Sequence, residues 1–203
     1  ERAVSLNKFI IPMKTHSYMG LNLGHPIFSM KATVGAVYII RDPRDIVLSF
    51  ADHFGKGVDE AIGYLNREKL QVTTSEGEPV FNVHEFISTW SNHVESWTIS
   101  RHPRFLIVRY EDLKENPQEL FRKICHHMGI TRDEARIERA IDFASFKRLQ
   151  KQEQKEGFKE KSLQSDVFFR KGSSGAWKEV LTPEQVARIE TDHGKMMRQF
   201  GYI

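Results

Sequence analysis

The sequence predicts an α/β domain with a central, mainly parallel sheet flanked by helices, and three observations carry that prediction. Two short runs, 34–40 and 104–112, are rich in Val, Ile, Leu, Phe and Tyr and end in polar residues, the pattern of strands covered on both faces. A helix start signal follows each run: Asp42-Pro43 after the first and Asn116-Pro117 after the second. Strands alternating with capped helices imply crossover connections, which make parallel sheets.

Composition sets the outer bounds. A chain of 203 residues is read as a single domain over 1–203 with room for a proper core. Hydrophobic residues at 39% and charged residues at 28% describe an ordinary globular protein, neither disordered nor fibrous. A net charge of +3 suits an anionic ligand, but no Lys/Arg block alternates with aromatics, which argues against nucleic acid as partner. The single Cys125 excludes an intrachain disulfide and a cysteine metal cluster, and its apolar helical setting predicts a buried structural thiol. No apolar run is long enough to span a membrane.

Taken in order, Phe9-Ile10-Ile11-Pro12-Met13 reads as a strand leading into Lys14-Thr15-His16, and Gly20, Gly24 and Pro26 mark a loop. Asp42 suits the cap of the next helix, Pro43 its first position, and Asp45 its third, a pair resembling a capping box. Residues 55–79 carry four glycines and a polar stretch around a helical candidate near 59–66, and read as a mobile flap. Asn82 with Glu85 three residues on looks like a cap, with Phe86, Trp90, Val94 and Trp97 following at helical spacing as core. The helix after Asn116 turns Leu120, Ile124 and Met128 inward, and that after Thr131-Arg132-Asp133-Glu134 turns Ile137, Ala140 and Ile141 inward. The charged run 150–161 reads as a solvated helix or loop. A last helix opens at Thr182-Pro183-Glu184-Gln185 and stops at Gly201.

Candidate chemistry narrows quickly. His126 and His127 are adjacent on a helix and point about 100° apart, so they cannot share a metal. His84-Glu85 lacks the second His of a zinc-protease motif, since Ser88 stands there, and no metal requirement is expected. There is no nucleophile elbow and no complete phosphate loop. Three pieces suit a multiply anionic ligand. Arg41 and Ser49 flank a strand-to-helix junction, where free helix N–H groups favour anions. Arg170-Lys171-Gly172 offers charge on a backbone free to approach closely. His16, beside Lys14, offers a base that titrates near neutrality. By pattern alone, Arg41 to Asp45 reads equally well as a solvated turn with local ion pairs.

These residues resemble the cytosolic-type sulfotransferase family, which uses 3′-phosphoadenosine-5′-phosphosulfate (PAPS) and releases the desulfonated nucleotide PAP. Lys14-Thr15-His16 is similar to the family's Lys-Thr-His, whose His is the catalytic base. The run from Arg41-Asp42-Pro43-Arg44-Asp45 to Ser49 resembles the 3′-phosphate-binding segment, whose Arg and Ser hold that phosphate. Tyr110-Glu111-Asp112 matches a segment whose Tyr lies against the nucleotide, and Ser145-Phe146-Lys147 one that packs on the adenine. The run containing Phe168, Phe169, Arg170, Lys171 and Gly172, on to Trp177, resembles the Arg-Lys-Gly-x-x-Gly-Asp-Trp loop over the 3′-phosphate. Trp90 to Trp97 resembles the family's Trp-x-x-His-Val-x-x-Trp helix.

The resemblance implies a P-loop NTPase-like sulfotransferase fold, PAPS as cofactor, a cytoplasmic location, and a small-molecule acceptor: a phenol, alcohol or amine. The family's phosphosulfate loop, Pro-Lys-Ser-Gly-Thr-Thr-Trp, belongs well before Lys14, so the sequence is expected to be an N-terminally incomplete version of a longer chain. Ala144 replaces a Thr and Ala176 replaces the Asp of Gly-Asp-Trp. The family's dimer motif around Lys178 and Thr182 is half kept, with Pro183 for Val and Ala187 for Glu, so oligomeric state stays open. The alternative readings are a small-molecule P-loop kinase, which would depend on Mg²⁺, and a non-catalytic nucleotide-binding scaffold.

Overall fold

In the computed structural model, which describes residues 11–73, 84–99, 102–130, 133–158, 167–169, 172 and 174–203, the first regular element is a small hairpin. Strand β1 (Leu21–Asn22) pairs antiparallel with β2 (His25–Pro26). Strand β3 (Ala36–Ile40) leads into helix α1 (Pro43–His53) and then α2 (Val58–Leu65). Strands β4 (Gln71–Thr73) and β5 (His84–Phe86) form a second antiparallel pair. Helix α3 (Trp90–Thr98) crosses back to β6 (Phe105–Arg109), which pairs in parallel with β3 from Ala36↔Phe105 to Ile40↔Arg109. The expected parallel sheet flanked by helices is therefore present, with β3 and β6 as its two strands among the described residues.

The helices α4 (Tyr110–Glu115), α5 (Pro117–His127), α6 (Glu134–Phe143), α7 (Phe146–Glu156), α8 (Trp177–Val180) and α9 (Pro183–Gln199) complete the chain. Local chemistry accounts for many of their starts. Asp42 accepts from the Arg44 N–H and caps α1, with Pro43 in the first turn. Thr182 and Gln185 form a reciprocal capping box at α9. The core gathers one face of each layer: Ile40, Val47, Ala61, Ile62, Trp90, Val94, Ile189 and Met197 are all buried. Cys125 is buried as expected, and burial pushes its thiol pKa up.

Several expectations are corrected. The first strand begins at Ala36 rather than at 34, and it is not covered on both faces, because Ile39 is 51% exposed while Ile40 is 1% exposed. The second ends at Arg109, and the Tyr110-Glu111-Asp112 segment is already the first turn of α4. The proposed cap Asn82 lies outside the described residues, but Phe86 belongs to β5. Helix α3 starts only at Trp90, capped by Thr89, because Ser88 takes a left-handed φ of 63° and breaks the continuity. Of the 55–79 segment, α2 matches the helix expected near 59–66, yet Ala61 and Ile62 sit in the core, so that part is packed body rather than flap. Ile11 to Met13 have no regular structure and are exposed; Phe9 and Ile10 lie outside the described residues. Lys151 to Glu156 are helical, within α7.

Candidate active site

The segment around His16 is irregular, yet its backbone is pinned on both sides. The His16 N–H donates to Glu85 Oε1 at 2.8 Å, and the Tyr18 N–H to the Phe86 carbonyl at 2.7 Å. Helix α3 supplies the rest. His93 Nε2 donates to the His16 carbonyl at 3.1 Å, Trp97 Nε1 to the Ser17 carbonyl at 3.1 Å, and Ser96 Oγ accepts from the Met19 N–H at 3.0 Å. Ser17 is buried as a result, while His16 and Lys14 stay exposed. Among the described residues no three His, Cys, Asp or Glu side chains come together as a metal site.

Arg41 emerges where β3 ends and α1 begins. Its Nη1 donates to Ser49 Oγ at 3.3 Å, and its guanidinium lies 4.6 Å from the Tyr110 ring centroid. The structure thus joins three of the sequence-predicted residues on two parallel strands and the helices that follow them. Arg41 Nε is buried and has no hydrogen-bond partner among the described residues. A buried guanidinium N–H without an acceptor is costly and fits a site built to receive an anion.

The neighbouring charges are not a solvated turn. Asp42, Arg44 and Asp45 are all buried. Arg44 donates to Asp42 Oδ2 at 2.7 Å, to Glu190 Oε1 at 2.6 Å and to the Tyr202 carbonyl at 2.8 Å, and stacks 3.8 Å over the Trp177 ring. Glu111 accepts from the Asp42 N–H at 3.0 Å and from the Tyr202 hydroxyl at 3.1 Å. Asp45 does not reach back to the cap as a capping box would. Its carboxylate instead accepts from the Gly175 N–H at 2.7 Å and the Trp177 N–H at 3.2 Å.

The predicted adenine-side and loop residues also converge. Ser145 opens α7 and Phe146 lies in its first turn, where its ring packs edge-on against Phe169 at 6.3 Å. Gly172, at φ 55°, presses on that ring so closely that a Cβ would sit 2.3 Å from it, which requires glycine. Lys114 Nζ donates to the Gly172 carbonyl. The buried Glu153 accepts from the Phe168 and Phe169 N–H groups at 2.6 and 2.9 Å, fixing the chain just before Arg170. Arg170 and Lys171 themselves lie outside the described residues.

Residues 2–201 match the family model of the sulfotransferase domain. The chain belongs to the sulfotransferase domain family. It is 27% identical over 194 residues to Sulfotransferase 1A1 of Rattus norvegicus, covering 91% of this chain and 62% of the relative. It is 30% identical over 164 residues to Cytosolic sulfotransferase 13 of Arabidopsis thaliana, covering 76% of this chain and 48% of that protein. The fold is similar to that of mouse sulfotransferase SULT7A1 complexed with PAP, at a TM-score of 0.65 and 18% identity over 86% of this chain and 62% of that one. The chain thus spans about three-fifths of the length of relatives it matches.

Within this sulfotransferase domain, sequence reasoning passed over several residues that build the site. Glu85 reads as part of a helix cap and instead holds His16; Arg44 and Asp45 read as local first-turn or solvated-turn residues and instead hold the C-terminal segment. Glu153 sat inside a charged run read as solvated. His93 had a usable signal: a histidine three residues after Trp90 and four before Trp97 lies on the face turned toward the body of the protein.

Proposed function

We propose that this chain carries the base and the nucleotide 3′-phosphate clamp of a PAPS-dependent sulfotransferase acting on a hydroxyl or amine of a small molecule. The observation that carries the reading is Arg41: a half-buried guanidinium beside a helix N-terminus, with Ser49 Oγ at its Nη1 and no acceptor for its Nε among the described residues. Those groups suit a phosphate. PAPS supplies the activated sulfuryl group when bound. Arg41 and Ser49 would hold its 3′-phosphate, Tyr110 would lie against the nucleotide, and Ser145 and Phe146 would face the adenine. Phe168, Phe169 and Gly172 would shape the loop that covers the phosphate. Arg170 and Lys171 join them on the strength of the family resemblance.

His16 would accept the acceptor's proton on its imidazole, with Lys14 beside it, so that the hydroxyl becomes nucleophilic without a strong external base. Holding the far end of the nucleotide contributes positioning rather than bond-breaking. Relatives named for phenolic and steroid chemistry, such as a flavonol 4′-sulfotransferase, support an alcohol or phenol acceptor. A relative named as a cytosolic sulfotransferase supports a cytoplasmic location.

The test separates the two halves. His16→Ala should abolish sulfuryl transfer while PAP binding, measured by calorimetry, stays near that of the parent. Arg41→Ala should weaken PAP binding by about 2 kcal/mol, roughly 30-fold, as expected for loss of a charge-assisted contact. Turnover retained in His16→Ala would overturn the base assignment, and unchanged PAP affinity in Arg41→Ala would overturn the clamp.

A further inference from the structure

His16 is held by a second histidine. His93 sits on α3 with its ring between β3 and the His16 segment. On one side the Tyr38 hydroxyl lies 2.9 Å from Nδ1, and on the other the His16 carbonyl lies 3.1 Å from Nε2. A carbonyl oxygen can only accept, so Nε2 must carry the proton. Burial lowers the His93 pKa and keeps the ring neutral, which leaves Nδ1 as a lone pair and obliges Tyr38 to donate. Burial likewise pushes the Tyr38 pKa up, so its hydroxyl keeps its proton. Tyr38 is fixed in turn by stacking on Trp97, with centroids 5.8 Å apart and planes at 11°, and Trp97 itself bonds the Ser17 carbonyl. The Tyr38 strand ends at Ile40 and leads directly into Arg41, three residues on from Tyr38.

We propose that His93 is a positioning residue for the base: locked in one tautomer by Tyr38, it fixes the His16 peptide from helix α3 and so sets the base relative to the strand that carries Arg41. The proposal rests on His16 being the base. It assigns to Tyr38 and His93 a role in geometry, without proton transfer. A donor to the His16 carbonyl and a carboxylate on its N–H fix the two peptide planes on either side of its Cα. Since a misplacement of about 1 Å can cost 100-fold in rate, that anchoring is worth measuring.

The first readout needs no variant. Long-range ¹H–¹⁵N correlation spectra of the protein at neutral pH should show His93 protonated at Nε2 and bare at Nδ1. An Nδ1–H tautomer, or a doubly protonated ring, would overturn the proposal. Kinetics supply the second. His93→Ala should lower kcat by about 100-fold with PAP affinity and acceptor KM within a few-fold of the parent. His93→Gln, whose amide N–H can replace Nε2, should recover most of that loss. Tyr38→Phe should shift the His93 tautomer toward a mixture and lower kcat less. Equal losses in His93→Ala and His93→Gln, or a rise confined to KM, would mean that the ring only packs. If His16→Ala keeps turnover, the base assignment fails instead, and the tautomer measurement still judges the Tyr38–His93 lock.

Discussion

The carboxylate of Asp45 offers the most direct test of how the site is assembled. It is 2% exposed, and it accepts two backbone N–H groups, from Gly175 at 2.7 Å and Trp177 at 3.2 Å. Asp45→Asn preserves the shape but keeps one acceptor, so one amide N–H is left facing an NH₂ group. A hydrogen bond to a charged group contributes about 1.5–3 kcal/mol, and the surviving bond loses its charge assistance, so the total cost is about 2–4 kcal/mol. For a domain of this size that corresponds to a fall in Tm of roughly 5–15 °C. Asp45→Ala removes both acceptors and should be worse still. Thermal and urea unfolding followed by tryptophan fluorescence measures both, with Trp177 reporting from the affected segment. An Asp45→Asn protein melting within about 1 °C of the parent, or an alanine variant no worse than the asparagine one, would refute the tether, because neither fits two buried charge-assisted bonds.

Two further outcomes follow from buried charged and titratable groups. Arg44→Met leaves Asp42 without its guanidinium in a site where both are under a tenth exposed, and should cost about 3–5 kcal/mol in urea unfolding, the range for breaking a buried pair. His193 is 2% exposed, bonded to Ser91 Oγ at 2.8 Å, and burial pushes its pKa down from 6.5 to about 4. The unfolded chain therefore binds its proton first as pH falls. Stability should drop between pH 6.5 and about 4 by roughly 3 kcal/mol and level off below, and His193→Asn should lose that part of the slope.

What could be read from the sequence divides by distance along the chain. The caps at Asp42 and Thr182 were legible because both partners lie within three residues. The parallel pairing of the two strands was legible because period and punctuation are local signals. The helix expected from Asn82 failed for the opposite reason. Phe86 and Trp90 have helical spacing, but Phe86 pairs with Gln71 across a sheet and Ser88 turns the chain between them. Burial of the Arg41–Asp45 turn was equally hidden, since its burial depends on Glu111, Trp177, Glu190 and Tyr202. Residue types at Arg41, Ser49, Tyr110 and Phe146 pointed to one ligand; the groups that aim them came only from tertiary structure.

The reach of the Arg44 network has a consequence for how the protein is made. Arg44 meets Glu190 across 146 positions and Tyr202 across 158, and Asp45 meets Gly175 across 130. Chains emerge from the ribosome at roughly 5–20 residues per second, so the Arg44 turn waits several seconds for its partners. Until Tyr202 arrives, three charges destined for the interior remain in water, and closing so long a loop is intrinsically slow. The Arg44 turn is therefore closed only once α9 has left the exit tunnel, well over a hundred residues after the turn itself was made.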